Sequence, residues 1–274
     1  MMKNIKIAVA YHKKSPLIQN EVYIPIQVGS SLNPTLDLKI QPDNTGDSIS
    51  EKNDYYCELT ALYWVWKNIK AEYKGLCHYR RFFSDKYSLK YNLYNLFKIG
   101  QSLRSHSFCN TPYVCYEDCN KFKTDAIKTL HAIDMLLDKY AIICPKKYVE
   151  NRGSYWHFVV YGIEIMEIIR DVIKSDFPDY FDIIKYKENH SAFYFGNMSI
   201  MRNDLFEEYC DFLFGVLFKV EQILVNEGWY MDLHKEKVFA RKLGFFGEYL
   251  TDIFIKRKQY EKVDIKELYL AFLK

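Results

Sequence analysis

Residues 4–12 read NIKIAVAYH, and this stretch sets the fold class that we expect. Its apolar, β-branched run ends abruptly at residues 12–16, HKKSP, which predicts a strand buried on both faces and closed by a polar loop. A strand of this kind commonly opens an α/β nucleotide-binding domain. The run is about five residues long and a signal-peptide core needs ~7 to 15, so we interpret it as a strand and not as an export signal.

The segments that follow continue an α/β pattern. VYIPIQVG (22–29) predicts a second strand, close to a sheet edge because of its proline. YYCELTALYWVWKNI (55–69) places apolar residues at helical spacing, and KGLCHYRRFF (74–83) returns to a strand. Amphipathic helical stretches dominate the chain after residue 150. We therefore predict one α/β unit with a helix-rich C-terminal half.

Composition limits the classes of protein to consider. With 274 residues and 49% apolar content, the chain can bury a large core. The net charge of +3 gives no sign of a nucleic-acid partner. The seven cysteines are odd in number and scattered, which suits a reducing cytosol better than a disulfide framework. No window approaches the ~18 consecutive apolar residues of a membrane span, so we expect a soluble or peripheral protein.

The carboxyl end of KGLCHYRRFF carries four adjacent side chains that could bind a ligand: His78, Tyr79, Arg80 and Arg81. Ligands of α/β sheets collect at the carboxyl ends of strands. Guanidinium forks match phosphate oxygens, and Tyr and His add hydrogen bonds, so the group suits a diphosphate. Alternation along one strand would send Arg80 and Arg81 to opposite faces, so both reach one ligand only if the chain turns. Pairing of both arginines with surface carboxylates is the alternative.

A long polar loop, residues 33–54, precedes the predicted helix. Loops of this length in compact domains usually have a function. The loop offers groups that could bind a nucleoside or a metal: Asp43, Asn44, Asp47, Ser48 and Asn53. A solvated turn that caps the helix explains the same residues. A zinc site could be considered at four residues: His106, Cys109, Cys115 and Cys119. We do not expect one, because their spacing lacks a C-x2-C pair.

The run FYFGNMSIM (193–201) places Gly196 and Asn197 inside a strand-like segment. Glycine in a strand often marks the close approach of a ligand, and a buried Asn needs hydrogen-bond partners. A simple bulge is the alternative interpretation.

The segment GFFGEYL (244–250) places Glu248 among aromatic residues. Desolvation there would raise the pKa of the carboxyl group toward that of a general base. A glutamate favoured by the dipole at a helix start is the alternative. His157 and His190 are base candidates with weaker surroundings.

Six segments in order resemble one known family: AYHKK, YIPIQVG, GDSISEKNDYYCELTALYWVWKN, KGLCHYRRFF, FGNMSIMRNDLFEEYCDFLF and GFFGEYLTDIF. The series spans nearly the whole chain and is similar to the bacterial domain-of-unknown-function family 4422. Members are associated with capsular, exopolysaccharide and lipopolysaccharide O-antigen synthesis and are treated as glycosyltransferases, some as galactofuranosyltransferases. The resemblance implies a GT-A-like, Rossmann-like fold for nucleotide-diphospho-sugar transfer, with a central mixed sheet. Residues 1–150 would bind the nucleotide sugar, and residues 151–274 would form the helix-rich acceptor side of a single domain.

The resemblance implies a hexosyltransferase that uses a UDP-sugar donor, with galactose or galactofuranose as the sugar transferred. The acceptor would be a growing cell-surface polysaccharide or an undecaprenyl-linked oligosaccharide. In GT-A folds the strand after a helix in the first half carries a metal-binding Asp-x-Asp motif, and KGLCHYRRFF takes that place without an aspartate before Asp85. We therefore expect inverting transfer that needs no Mn or Mg, with the HYRR segment stabilising the diphosphate.

The resemblance also carries donor-binding roles onto a set of residues in addition to the HYRR segment: Tyr11, His12, Lys13, Asp43, Asp47, Ser48 and Asn197. The residues at the end of the first strand would lie beside the nucleotide, those of the loop along its ribose and base, and Asn197 near the donor sugar. Glu248 resembles the acidic residue near the acceptor in inverting GT-A enzymes and is the first expected base. Asp47 and His190 follow it.

Two readings from other classes remain open. One is a non-catalytic partner that binds a nucleotide sugar or polysaccharide in an assembly complex, favoured if no carboxylate reaches the donor. The other is a metal-dependent phosphoester hydrolase, which the polar loop and the histidines would support. We expect a cytoplasmic location, with peripheral contact at the inner face of the plasma membrane through KRKQYEK (256–262) and LYLAFLK (268–274). A charged helix followed by a core-docking tail explains these two segments equally well.

Overall fold

The computed structural model describes residues 2–86, 113–149, 154–190, 192–194, 196–228 and 241–274. Within these ranges the chain forms eleven strands. In chain order they are β1 Ile5–Tyr11, β2 Tyr23–Gln27, β3 Gln41–Pro42, β4 Tyr73–His78, β5 Arg81–Ser84, β6 Tyr113–Tyr116, β7 Ile142–Pro145, β8 Tyr148–Val149, β9 Ala192–Phe193, β10 Ser199–Arg202 and β11 Ile265–Leu273.

The helices of the described chain fall mainly in its second half, as predicted. In chain order they are α1 Asn53–Tyr56, α2 Leu59–Asn68, α3 Cys119–Leu136, α4 Ser154–Val159, α5 Ile163–Asp176, α6 Phe181–Glu188, α7 Asn203–Asn226 and α8 Lys242–Tyr260. Short 3₁₀ turns precede α1 at Ser50–Lys52 and α6 at Pro178–Tyr180. None of the helices within the described ranges is both long and apolar enough to cross a membrane.

Nine of the described strands form one mixed sheet in the order β10-β7-β11-β5-β4-β1-β2-β3, with β6 also pairing with β11. Strands β3, β2, β1 and β4 are parallel to one another, whereas β10 runs antiparallel to both β4 and β7. Strands β8 and β9 form a separate two-stranded ribbon. The predicted α/β class with a central mixed sheet is confirmed.

Each face of the sheet carries its own apolar core. On β1, Ile7 and Val9 belong to one core and Ala8 and Ala10 to the other, as expected from alternation along a buried strand. Helix α3 covers the first face, and the other helices cover the second. The layers therefore leave the ends of the strands as the places where polar side chains can meet.

The structure corrects the prediction that KGLCHYRRFF is a single strand. Strand β4 ends at His78, residues Tyr79 and Arg80 form a tight turn, and β5 returns antiparallel with His78 opposite Arg81. The sequence pattern missed this turn because it contains neither Gly nor Pro, the residues that normally mark one. Because of this turn, Arg80 and Arg81 are not consecutive residues of one strand, and the alternation that would send them to opposite faces does not apply.

The C-terminal segment LYLAFLK lies inside the sheet. Strand β11 pairs with β5, β6 and β7. Two cations of the preceding segment are paired with carboxylates, Lys258 with Glu208 and Arg257 with Glu261. The core-docking interpretation thus describes this tail, and its apolar residues offer no surface for a lipid.

Candidate functional site

A cleft of about 230 Å³ opens at the carboxyl ends of the parallel strands β1, β2 and β4. It is lined by residues from five segments of the chain: Ala10, His12, Val28, Asn53, Asp54, Cys57, Glu58, His78 and Arg241. This is the edge at which α/β sheets usually bind ligands. The cleft brings His12 and His78 together, as the sequence suggested, and adds Glu58 and Arg241, which it did not.

The tight turn after β4 presents two arginines whose charges lack carboxylate partners. Within the described residues, neither Arg80 nor Arg81 forms an ion pair, and the Nε atom of each is buried without a hydrogen-bond partner. The Nδ1 atom of His78 is in the same condition. Buried polar atoms in native proteins almost always have partners, so three unsatisfied groups on one turn indicate a place for a ligand rich in acceptors.

Aromatic rings support the two guanidiniums from the sides. The Cζ atom of Arg80 lies 5.3 Å from the centre of the Tyr79 ring and 5.4 Å from that of Phe272. The Cζ atom of Arg81 lies 5.8 Å from the Phe272 ring and 5.7 Å from the Tyr113 ring. Cation–π contacts hold a guanidinium in place without neutralising it. Both arginines therefore keep their positive charge available.

The two imidazoles of the cleft are neutral near neutral pH. Burial lowers the pKa of His78 to about 3, with further lowering by Arg81, His12 and Arg80. Burial also lowers the pKa of His12, which lies 5.1 Å from the Tyr79 ring between centroids. Both histidines can act as neutral hydrogen-bonding groups. The positive charge of the site comes from three arginines and one lysine: Arg80, Arg81, Arg241 and Lys13.

The structure does not place all three residues at the end of β1, Tyr11, His12 and Lys13, on the side of the cleft. His12 lines the cleft, and Lys13 Nζ lies 5.8 Å from the centre of the Tyr79 ring. Tyr11 points to the opposite face, where it is fully buried and its hydroxyl group donates to Pro16 O at 3.2 Å. Side chains alternate along a strand, so Tyr11 and His12 cannot both face the ligand.

Arg241 enters the cleft from the start of α8. Its Nε atom donates to Cys57 Sγ at 3.4 Å. Cys57 separates α1 from α2 with a φ of 51° and ψ of −127°, a conformation that costs on the order of 1 to 3 kcal/mol in a residue other than glycine. Strain of this kind often accompanies functional sites, and here it lies between Asp54 and Glu58 on the cleft wall.

Two glycines in GFFGEYL allow α8 to approach the α1–α2 junction closely. A Cβ atom on Gly244 would lie 3.2 Å from Cys57 Sγ, and one on Gly247 would lie 2.6 Å from Leu59 Cδ1. A side chain at either position would force its neighbours to shift. The close approach brings Glu248 of α8 beside Glu58, which precedes α2.

Glu248 is a buried carboxyl group behind the cleft. It lies well inside α8 and not at its start, and its Oε2 atom accepts a hydrogen bond from Gly196 N at 3.1 Å. Burial, followed by the negative charge of Glu58, raises the pKa of Glu248 to about 8, against the opposing effects of Arg81 and Arg241. A carboxyl group with such a pKa can exchange protons near neutral pH.

Asn197 connects α8 to the cleft wall. It is 1% exposed, and its Nδ2 atom donates to Glu58 Oε1 at 2.9 Å and to Gly244 O at 3.2 Å. Its Oδ1 atom accepts from Thr251 Oγ1 at 3.2 Å. The amide predicted to lie near a donor sugar is therefore fully engaged with protein groups, and it reaches the cleft only through Glu58.

The polar loop does not approach the cleft as a unit. Asp43 is fully buried and accepts from Gly29 N, Ser30 N, Ser50 Oγ and Thr60 Oγ1. Its oxygens hold a turn in which Gly29 has a φ of 68°, a value that favours glycine. Four protein donors occupy this carboxylate, so a structural role explains it.

Of the other predicted loop residues, Asn53 lines the cleft, whereas Asp47 and Ser48 do not. Asp47 is exposed beside the C-terminal end of α2, where it accepts from Tyr63 OH at 3.0 Å, and Ser48 follows it in the loop. Helix α2 separates Asp47 from Glu58 by roughly 15 Å at 1.5 Å per residue. His190 is exposed at the end of α6, stacked on Tyr186 with ring centroids 3.5 Å apart. The structure thus does not bring Asp47 or His190 to the cleft.

The cleft residues that the sequence reasoning missed are Glu58, Arg241, Cys57 and Asp54. One signal for Glu58 is its isolation, because it is the only charged residue in CELTALYWVW (57–66). Arg241 had no such signal, since only the packing of α8 brings it to the sheet edge.

Among the described residues, no group of three His, Cys, Asp or Glu side chains is placed to hold a metal ion. His106 and Cys109 lie outside these residues, and Cys115 and Cys119 lie within them.

Comparisons with known proteins give one family and one solved structure to which the chain is similar. The family model described as "Domain of unknown function (DUF4422)" matches residues 6–259. The structure titled "WbbM bifunctional glycosytransferase apo structure" superposes with a TM-score of 0.79 at 26% sequence identity. The similarity covers 99% of this chain and 45% of that one, so the chain spans less than half of the solved protein. A search of the curated proteins gave no match.

Proposed function

Because this chain belongs to the Domain of unknown function family DUF4422, whose description names no reaction, its activity must be inferred from the site, and we propose that it is a glycosyltransferase. In our proposal it transfers a sugar from a nucleotide diphosphate donor to a hydroxyl group of a saccharide acceptor. The solved structure to which it is similar has the same activity in its title. That similarity covers nearly all of this chain and supports the reaction class.

The observation that carries the proposal is the pair of unneutralised arginines at the carboxyl edge of the sheet. Arg80 lies in the tight turn and Arg81 directly follows it, and the buried Nε atom of each lacks a protein partner in the described chain. Breaking the bond between a sugar and a diphosphate leaves negative charge on the phosphate oxygens. Fixed cations stabilise that charge without having to reorganise as it develops.

The proposed reaction is a single displacement with inversion. The acceptor oxygen forms a bond to the anomeric carbon while the bond from that carbon to the diphosphate oxygen breaks. The electron pair of the broken bond remains on the diphosphate, beside Arg80, Arg81 and Arg241. The acceptor proton passes to the carboxylate form of Glu248, which is our assigned base.

The donor and acceptor follow from the family resemblance and are proposals. We propose a UDP-hexose donor, with galactose and galactofuranose as first candidates. The proposed acceptor is a growing cell-surface polysaccharide or an undecaprenyl-linked oligosaccharide. We propose that transfer takes place at the cytoplasmic face of the membrane and that the fold of the enzyme is GT-A-like. We also propose that no divalent metal is required, because the arginines take the place of the ion.

The carboxyl groups at the cleft argue against a purely non-catalytic binding role. That alternative was favoured if no carboxylate reached the ligand, and Glu58 lines the cleft with Glu248 behind it. The hydrolase alternative loses part of its support because protein donors occupy Asp43.

The proposed function is tested by measuring UDP release from a panel of UDP-sugars, with and without acceptor oligosaccharides and excess chelator. We expect release that depends on acceptor and continues in chelator. Release without any acceptor dependence would indicate a hydrolase. Activity lost in chelator and restored only by Mn or Mg would refute the metal-independent part.

A further inference from the structure

Glu58 is a carboxylate held in a fixed orientation at the cleft wall. It follows the strained residue Cys57 and directly precedes α2, and its Oε1 atom accepts from Asn197 Nδ2 at 2.9 Å. Asn197 is in turn fixed by Thr251, whose hydroxyl group lies 2.7 Å from Tyr209 OH. A chain of buried hydrogen bonds from α7 and α8 therefore sets the position of one oxygen of Glu58.

The second carboxylate oxygen of Glu58 has no protein partner within the described ranges. An ionised carboxylate can only accept hydrogen bonds, so its natural ligand in the cleft is a hydroxyl or amide donor. Glu58 shares the cleft with His78 and Arg241. A sugar bonded to a diphosphate necessarily lies beside the groups that hold the phosphates.

We propose that Glu58 binds a hydroxyl group of the donor sugar through its free carboxylate oxygen and thereby selects which sugar is transferred. Asn197 is its positioning residue. The inference rests on the proposed function, because it takes a nucleotide sugar as the ligand. It gives the two carboxyl groups of the site different roles: Glu58 binds the donor sugar, and Glu248 takes the proton of the acceptor hydroxyl group.

Glu58 also acts on Glu248 through space. The negative charge of Glu58 raises the pKa of the Glu248 carboxyl group. Replacing Glu58 with Gln removes that charge, so the pKa of Glu248 should fall. The pH dependence of transfer should then shift toward acid, because of the lost charge of Glu58 and independently of any contact that Glu58 makes with the donor.

The decisive measurement is calorimetric binding of UDP and of UDP-galactose, UDP-galactofuranose, UDP-glucose and UDP-N-acetylglucosamine to full-length protein. We expect Glu58→Gln to weaken the preferred UDP-sugar by about 10- to 100-fold, the range for a lost hydrogen bond to a charged group, and to leave UDP within about twofold. Glu51→Gln is the matched control, because Glu51 is an exposed glutamate on the preceding turn. Its binding of both ligands should equal that of wild type.

Glu58→Asp gives a second test if the amide variant folds poorly. It keeps the charge but withdraws the oxygen by one methylene group, and we expect the same selective loss for the UDP-sugar at unchanged thermal midpoint. Equal weakening of UDP and UDP-sugar, or no weakening of either, would overturn the inference and leave the proposed function intact. Wild-type protein that binds neither UDP nor any of the four sugars would overturn the proposed function itself.

Discussion

Glu248→Gln should change how the stability of the protein depends on pH. The side chain is buried, and its Oε2 atom accepts from Gly196 N. Gln has nearly the same shape as a protonated Glu and can accept the same hydrogen bond, but it does not titrate. The variant therefore isolates the proton that burial and Glu58 hold on this carboxyl group.

The expected magnitude follows from the pKa of Glu248, which rises from 4.5 to about 8 in the folded protein. Below the unfolded value both states are protonated, and wild type and variant have similar stability. Between the two values the unfolded chain is ionised while the folded protein keeps its proton, so the wild type loses stability as pH rises. At about 1.4 kcal/mol per unit, the accumulated difference is about 5 kcal/mol in favour of the variant.

Thermal unfolding of both proteins between pH 5 and pH 9 measures this difference. About 4 of these 5 kcal/mol accumulate between pH 5 and pH 9, so at roughly 2 to 4 °C per kcal/mol the midpoint of Glu248→Gln should gain roughly 8 to 16 °C on wild type across that interval. Other titrating groups are common to both proteins and cancel. Glu51→Gln, a surface control, should follow the wild-type curve. Parallel curves for Glu248→Gln and wild type would refute the assignment of a raised pKa to this carboxyl group.

Three further outcomes are expected. Arg80→Lys and Arg81→Lys keep the charge but lose the guanidinium fork, so the affinity for UDP measured by calorimetry should fall by about 10- to 100-fold; two variants with wild-type affinity would argue against a diphosphate site. Asp43→Asn replaces one of two buried oxygens, each the acceptor of two hydrogen bonds, with an NH2 donor; it should cost about 3 kcal/mol in urea unfolding with UDP affinity retained, whereas lost affinity at unchanged stability would place Asp43 at the ligand. Gly75→Ala would press a Cβ atom against the carbonyl oxygen of Ser199 and lower the thermal midpoint by an amount equivalent to about 1 to 3 kcal/mol; an unchanged midpoint would show that β4 and β10 can separate freely.

Local patterns in the sequence predicted the elements whose character is local. The run NIKIAVAYH became β1 at Ile5–Tyr11, and the apolar spacing in residues 55–69 became the longer helix α2. The break at Cys57 was not predictable, because a positive φ at a residue other than glycine comes from the packing of α8 and not from propensity. The sheet partners of β11 were also hidden, since they lie far away in the sequence.

The same distinction applies to the site. His78 and the two arginines could be singled out because adjacent polar residues at a strand end are visible in one dimension. Glu58 and Arg241 meet only through the close contact of α8 with the α1–α2 junction. Asp43 shows the opposite error, because a polar loop residue that looked available to a ligand is fully used by backbone and hydroxyl donors.

The position of β11 inside the sheet has a consequence for the order of folding. Strands β5 and β7 both take β11 as a neighbour, so a chain emerging from the ribosome cannot close the sheet until residues 265–273 have been made. Contacts between such distant segments form slowly. Phe272, which supports both arginines, arrives with this late strand. A nucleotide that binds those arginines would therefore stabilise the finished molecule and give little help to its earlier folding intermediates.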